Sequence, residues 1–212
     1  MRYKHIIWDW NGTLLDDTWL CVEGINQALM RRKLTPISKN KYRNVFTFPV
    51  KDYYMKLGFD FDKEPFEIAG DEFVSYYEKK FHKTKLQNGS RFVLRTIQSR
   101  SISQSILSAG RQDFLLDWVS SHKLEKYFFK IVGIDNQYAN GKIAQGIKLI
   151  KDLPYNSKDI VIIGDTIHDS DVAEKLKINC ILIDHGHVNG ERLKKTGRTV
   201  LSNLKDLIPQ II

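Results

Sequence analysis

The sequence predicts an α/β protein: a parallel sheet whose first strand is followed by an all-helical insert. Two observations carry this. Short apolar, β-prone runs recur at His5-Ile6-Ile7-Trp8, Ser105-Ile106-Leu107, Ile160-Val161-Ile162-Ile163 and Cys180-Ile181-Leu182-Ile183, with a weaker one at Phe129-Lys130-Ile131-Val132. Each is continuously apolar rather than alternating, as a strand buried on both faces of a parallel sheet should be. Helical patterns lie between the later runs, so strand and helix alternate along the second half of the chain.

The elements follow in order. The first run ends directly in Asp9 and the turn signal Asn11-Gly12. From about residue 16 to 89 no comparable run occurs, and apolar residues fall at helical spacing instead: Trp19, Val22, Ile25 and Leu29, then Phe66, Ala69, Phe73 and Tyr77. Pro36, Pro49 and Pro65 divide this stretch into several helices. Beyond it, Phe114, Leu115, Trp118 and Val119 mark one helix, and Ile143, Ile147 and Ile150 another.

Composition narrows the class. With 212 residues, 42% of them hydrophobic, the chain has material for one sizeable core, or a domain of ~150 residues carrying an insertion. No apolar run reaches the roughly 18 residues that span a bilayer, and the first residues meet acid and turn signals too early for a signal peptide. A cytoplasmic protein without membrane partners is expected. Cys21 and Cys180 stand alone among apolar neighbours, as buried free thiols do, and the absence of a CxxC pair excludes a cysteine-built zinc site. The net charge of +8 favours anionic partners. Its clusters, Arg31-Arg32-Lys33 and Lys79, Lys80, Lys83 and Lys85, read as solvated helix faces rather than a nucleic-acid platform. A multiply anionic small molecule, such as a phosphorylated sugar or hydroxy acid, suits the balance.

Sheets of this kind bind ligands at the carboxyl ends of their strands. Those ends carry Asp9-Trp10-Asn11-Gly12-Thr13, then Ser108-Ala109-Gly110-Arg111, and then Gly164-Asp165-Thr166-Ile167-His168-Asp169. A loop after the weaker run leads to Lys142 at a helix start. Each feature alone has a plain structural explanation, a turn, a cap or a surface lysine. Their order and placement in one topology do not.

The set resembles the four motifs of the haloacid dehalogenase superfamily. Asp9-Trp10-Asn11-Gly12-Thr13 is similar to its Asp-x-Asp-x-Thr motif, Ser108 to the strand-end hydroxyl, Lys142 to the lysine, and Gly164, Asp165 and Asp169 to Gly-Asp-x-x-x-Asp. Lys148 is a rival for the third place. The resemblance covers the whole chain and looks nearest to the phosphoglycolate-phosphatase-like branch. It implies a Rossmann-like core, residues 1–15 and 90–212, and a helical cap domain, residues 16–89. It also implies a Mg²⁺-dependent phosphatase that forms an aspartyl-phosphate on Asp9. Mg²⁺ would be held by Asp9, the carbonyl of Asn11, and Asp165, with Asp169 as ligand or orienter. Lys142, Thr13, Ser108 and backbone N–H groups near Ala109 and Gly110, at a helix start, would bind the phosphate of a small metabolite. A monomer or homodimer is expected.

Asn11 departs from the pattern, because the family's phosphatases carry Asp there as acid and base. An amide keeps the carbonyl and donates hydrogen bonds but cannot shuttle a proton at neutral pH. Three readings follow: a phosphatase with slow proton transfer, or one rerouted through Asp16, Asp17, His168 or water; a phosphonate hydrolase using Lys51 or Lys56, or a haloacid hydrolase; and a phosphate-binding protein with little turnover. The Asn-Gly pair also invites deamidation to Asp. Of the remaining polar clusters, Asp184-His185-Gly186-His187 reads as a loop at the rim of the site, and Asp16 or Asp17 as the cap of a helix near Thr18.

Overall fold

A computed structural model of the chain describes residues 2–135 and 141–212. The loop leading to Lys142, residues 136–140, lies outside the described residues. In chain order the elements are β1 (His5–Trp8), β2 (Leu15–Asp16), α1 (Thr18–Arg31), α2 (Lys39–Val45), α3 (Val50–Lys56), α4 (Phe66–Lys80), β3 (Lys85–Leu86), α5 (Ser90–Ser99), β4 (Ser103–Arg111) and α6 (Gln112–Ser121). There follow β5 (Lys130–Ile134), α7 (Lys142–Lys151), β6 (Ile160–Gly164), α8 (Ile167–Leu176), β7 (Asn179–Ile183), α9 (Gly190–Lys194), β8 (Thr199–Leu201) and α10 (Ile208–Ile211).

Six strands form one sheet in the order β5-β4-β1-β6-β7-β8, all neighbours parallel. This is the Rossmann-like α/β core that the apolar runs predict. β1 and β6 are buried along their whole length, which explains their unbroken apolar sequences. The chain runs from β1 to β4 and β5 on one side and then crosses to β6 on the other, so the C-terminal end of β1 lies at a switch point of the sheet, where a crevice opens.

The segment between β2 and β3 is helical. These two short strands pair antiparallel, Leu15 with Leu86 and Asp16 with Lys85, where the chain departs from the sheet and returns to it. α1 and α4 pack together, and Ile25, Leu29, Ala69 and Tyr77 are buried as their spacing predicts. The basic clusters are partly neutralised here: Arg32 pairs with Glu64 and Glu72, and Lys80 with Glu23.

Two local expectations need correction. On α7 the buried face is Lys142, Gly146 and Leu149, while Ile147 is 44% exposed. Lys142 turns inward, and Gly146 lets α7 approach Leu107 and Leu176 so closely that a Cβ would crowd both. β4 also outruns its apolar core, extending to Arg111, with a register shift against β5 between Leu107 and Arg111. Ala109 and Gly110 therefore lie in an irregular strand end, ahead of α6 rather than at its start.

Candidate active site

β1 delivers Asp9 to the sheet edge, and the Asp9 N–H still donates to the Ile163 carbonyl of β6 at 2.8 Å. The chain then turns at Gly12, whose φ of +76° suits glycine. A Cβ there would overlap the Asp165 carboxylate and the His187 ring. The turn is thus pressed against the end of β6, and Thr13 Oγ1 donates to Asp165 Oδ1 at 2.8 Å while lying 3.3 Å from Asp9 Oδ2.

Lys142, the first residue of α7, is only 2% exposed. Its ammonium donates to Asp9 Oδ1 at 2.5 Å and Asp169 Oδ1 at 2.6 Å. Lys148 is exposed on the same helix, so Lys142 and not its rival reaches the site. Asp169 closes the first turn of α8 by accepting from Thr166 N at 3.0 Å and Thr166 Oγ1 at 2.7 Å. Ser108 is buried beside them, and its Oγ accepts from Gly110 N at 3.0 Å, leaving its own hydroxyl hydrogen to donate. Asp9, Asn11, Ser108, Ala109, Gly110 and Lys142 all face one cavity; Thr13, Asp165 and Asp169 lie behind it, tied to one another and to Asp9 and Lys142 by the bonds above.

The electrostatics are unbalanced. Carboxylate oxygens of Asp9, Asp165 and Asp169 lie within 4.8 Å of one another, yet among the described residues Lys142 is the one ammonium bonded to them. Burial, only partly countered by Lys142 and reinforced by Asp169 and Asp165, raises the Asp9 carboxyl to about 8. Burial also raises Asp165, against the pull of His187. Asp169 is itself desolvated, but Lys142 and Thr166 hold it below the usual carboxylate range. Lys142 loses solvation too, and its two carboxylate partners still hold it upward.

Asn11 is fixed rather than free. Its Nδ2 donates to Asp17 Oδ2 at 2.8 Å and to Tyr77 Oη at 2.9 Å. Asp17 also accepts from the Gly12 N–H at 2.8 Å and the Tyr77 hydroxyl at 2.7 Å, and its Oδ1 lies 3.3 Å from His187 Nε2. The sequence reading offered Asp17 only as a proton route or a helix cap and left His187 in a rim loop, and it missed their pairing beside Asn11. Asp17 sits at the N-cap position of α1 but makes no cap bond; its carboxylate is buried against Asn11 instead. The one available signal was chemical, since an amide in the place of an acid needs an acceptor, and the next acids in the chain are Asp16 and Asp17. His187 lies within the supposed rim loop. Its backbone N–H donates to Asp165 Oδ2 at 2.6 Å, and its Nδ1 lies 2.9 Å from Tyr42 Oη. Burial opposes its charging, but Asp17 and Asp165 raise it to about 9, so it is an imidazolium at neutral pH. That charge and the donated bonds outweigh burial and hold Asp17 low. Gly12 N, the atom that would attack the Asn11 side-chain carbon in deamidation, and Asn11 Nδ2, the atom that would leave, are both engaged in hydrogen bonds.

Above Asp9 the cavity measures about 210 Å³. The helical insert contributes Tyr42, Phe48, Tyr53 and Phe73 to its wall, and α6 contributes Phe114 and Trp118. His168 lines it, with its ring centroid 4.8 Å from that of Phe48. Neither Lys51 nor Lys56 is among the lining residues. No helix of the described residues is long and apolar enough to cross a membrane.

A family model described as haloacid dehalogenase-like hydrolase matches residues 6–183. No curated protein matches the sequence. Among solved structures, a predicted phosphatase from Clostridium acetobutylicum is 21% identical with a TM-score of 0.85, over 100% of this chain and 99% of that one. A haloacid dehalogenase-like family hydrolase from Streptococcus pneumoniae is 17% identical with a TM-score of 0.83, over 100% and 99%. A predicted phosphoglycolate phosphatase from Haemophilus somnus is 14% identical with a TM-score of 0.79, also over 100% and 99%. At these identities the likeness is one of fold.

Proposed function

The chain belongs to the haloacid dehalogenase-like hydrolase family, and from that premise we propose that it is a magnesium-dependent phosphatase of small phosphomonoesters with Asp9 as nucleophile. The observation that supports this most is the convergence of Asp9, Lys142, Asp165 and Asp169 at the end of β1. The donor set fits a hard divalent cation, because it is all oxygen and carries more negative charge than Lys142 balances. Asp9, Asp165, the carbonyl of Asn11 and Asp169, as ligand or orienter, are the groups to hold it. Bound magnesium would neutralise phosphate charge and so admit an anionic nucleophile.

The rest falls to the chain. Lys142 and the free hydroxyl hydrogen of Ser108 hold phosphate oxygens, with N–H groups of the irregular strand end beside them. Asp9 attacks phosphorus; an acyl-phosphate bond forms and the bond to the leaving oxygen breaks. Water then attacks the same phosphorus, releasing inorganic phosphate and restoring Asp9. Asn11 cannot supply the leaving group's proton or take one from water, so those transfers use solvent or another group. The insert, residues 16–89, acts as a cap that excludes water and selects the substrate.

Phosphate release from a panel of phosphomonoesters, measured with Mg²⁺ and with EDTA, tests the reading. Release with Mg²⁺, none with EDTA and none from Asp9→Asn are expected. Turnover retained in Asp9→Asn would refute it.

A further inference from the structure

We propose that the substrate is an aryl phosphomonoester with a single uncharged ring, an inference that rests on the phosphatase reading above. Two independent observations meet on it.

The first is the cavity. Its wall above Asp9 is built from aromatic faces, with Phe48 and Phe73 from the insert and Phe114 and Trp118 from α6. Phe114 stacks on Trp118 with centroids 6.0 Å apart. An apolar cavity of roughly 150 Å³ is enough to hold benzene, so about 210 Å³ suits one ring beside the phosphate. The cations of the wall are already engaged. Lys142 holds Asp9 and Asp169. His187 faces Asp17. Arg111 is bound by both oxygens of Asp113, at 2.6 and 2.7 Å, and lies over the Phe114 ring. Glu78, a further wall residue outside the site, is an acid and not a base. A second anionic group on the substrate finds no uncommitted cation among the described residues of the wall, which departs from the multiply anionic ligand that net charge favours.

The second observation is Asn11. With an amide pinned between Asp17 and Tyr77, no acid stands at that position to protonate a departing oxygen. A phenol ionises near pH 10, about as tyrosine does, whereas an alkyl alcohol, like water, ionises only at far higher pH. A phenolate leaves without a proton; an alkoxide does not leave readily. The ring that the wall accommodates is also the leaving group that Asn11 tolerates.

Two measurements separate ring recognition from leaving-group chemistry. Calorimetry with Mg²⁺ compares phenylphosphonate with methylphosphonate, neither of which can be hydrolysed. Burial of one ring predicts roughly ten- to a hundredfold tighter binding of the first. Phe48→Ala and Phe114→Ala should each erode that preference severalfold. Steady-state kcat/KM, which reports the leaving-group step and not hydrolysis of the shared phosphoenzyme, then compares phenyl phosphate with benzyl phosphate, which keeps the ring but leaves as an alkoxide; the value for phenyl phosphate should be at least tenfold higher. Equal binding of the two phosphonates to the wild-type protein overturns the proposal, and so does equal kcat/KM for the two esters. Silence on every ester with the phosphonate preference intact overturns the phosphatase reading and supports the ring site. Turnover without ring preference overturns this inference alone.

Discussion

Replacing Asn11 by Asp would restore the family's usual residue, but Asp17 makes the outcome more than a gain of an acid. The new oxygen would stand where Nδ2 now donates, 2.8 Å from Asp17 Oδ2. Two full charges at that distance repel by about 6 kcal/mol at an effective dielectric of about 20. Keeping one of them protonated at pH 7 costs about 4 kcal/mol, from an ordinary carboxyl pKa of about 3.9. Protonation is the cheaper course, so the pair holds one shared proton and the introduced carboxyl titrates above its unfolded value. The sign follows: a raised folded pKa leaves stability intact below the unfolded pKa and removes it as pH rises. Asn11→Asp should therefore destabilise by roughly 4 kcal/mol at pH 7 and about 1.5 kcal/mol at pH 5. Urea unfolding of both proteins in EDTA at the two pH values reads this directly. A penalty of the same size at pH 5 and pH 7 would refute the carboxylate contact. The shared proton also makes the variant a general acid, and its turnover of an alkyl phosphate with Mg²⁺ should rise at least tenfold, within the usual range of about 10² to 10⁴ for such catalysis.

Lys142→Met should lower kcat by about 10² to 10³, as loss of a preorganised charge contact does, whereas Lys148→Ala should stay within about twofold; steady-state kinetics separates them. Mg²⁺ at a hundredfold excess over its Kd should add about 2.7 kcal/mol to unfolding free energy, and Asp165→Ala should abolish that gain in a thermal or urea titration. His5 is buried with neither ring nitrogen bonded to a described residue, and burial lowers it to about 4. The unfolded chain takes up this proton first, so stability is lost as pH falls from about 6.5 toward 4, by roughly 3 kcal/mol. His5→Leu should remove that part of the pH dependence, read as the difference between the two proteins' urea midpoints across the window.

What the sequence disclosed depended on how local each signal was. β1, β6 and β7 were legible because strands covered on both faces must be apolar throughout. β8, with one exposed and two half-buried residues at the sheet edge, carries no such mark. Asp9, Asp165 and Lys142 stood out as polar groups at strand ends or helix starts. Asp17 and His187 did not, because their partnership spans most of the chain and each has an ordinary local explanation. The placement of Ala109 and Gly110 at a helix start failed for a related reason: β4 continues past its apolar core, and only pairing with β5 reveals it. The cavity was invisible for the same cause, since its rings come from separate helices and a loop of the insert and from α6.

The tie between insert and core limits how far the two can be treated as interchangeable parts. Tyr77 from α4 bonds Asn11 and Asp17, and Tyr42 from α2 meets His187, which in turn donates to Asp165. The nucleophile loop is therefore shaped in part by residues of the insert itself. A chimera given the helical insert of a relative, with other side chains at these two positions, would leave the Asn11 amide and the His187 imidazolium short of partners. Insert and loop have to change together, so new specificity is more readily reached by altering Phe48 or Phe114 in the cavity wall than by exchanging the whole module.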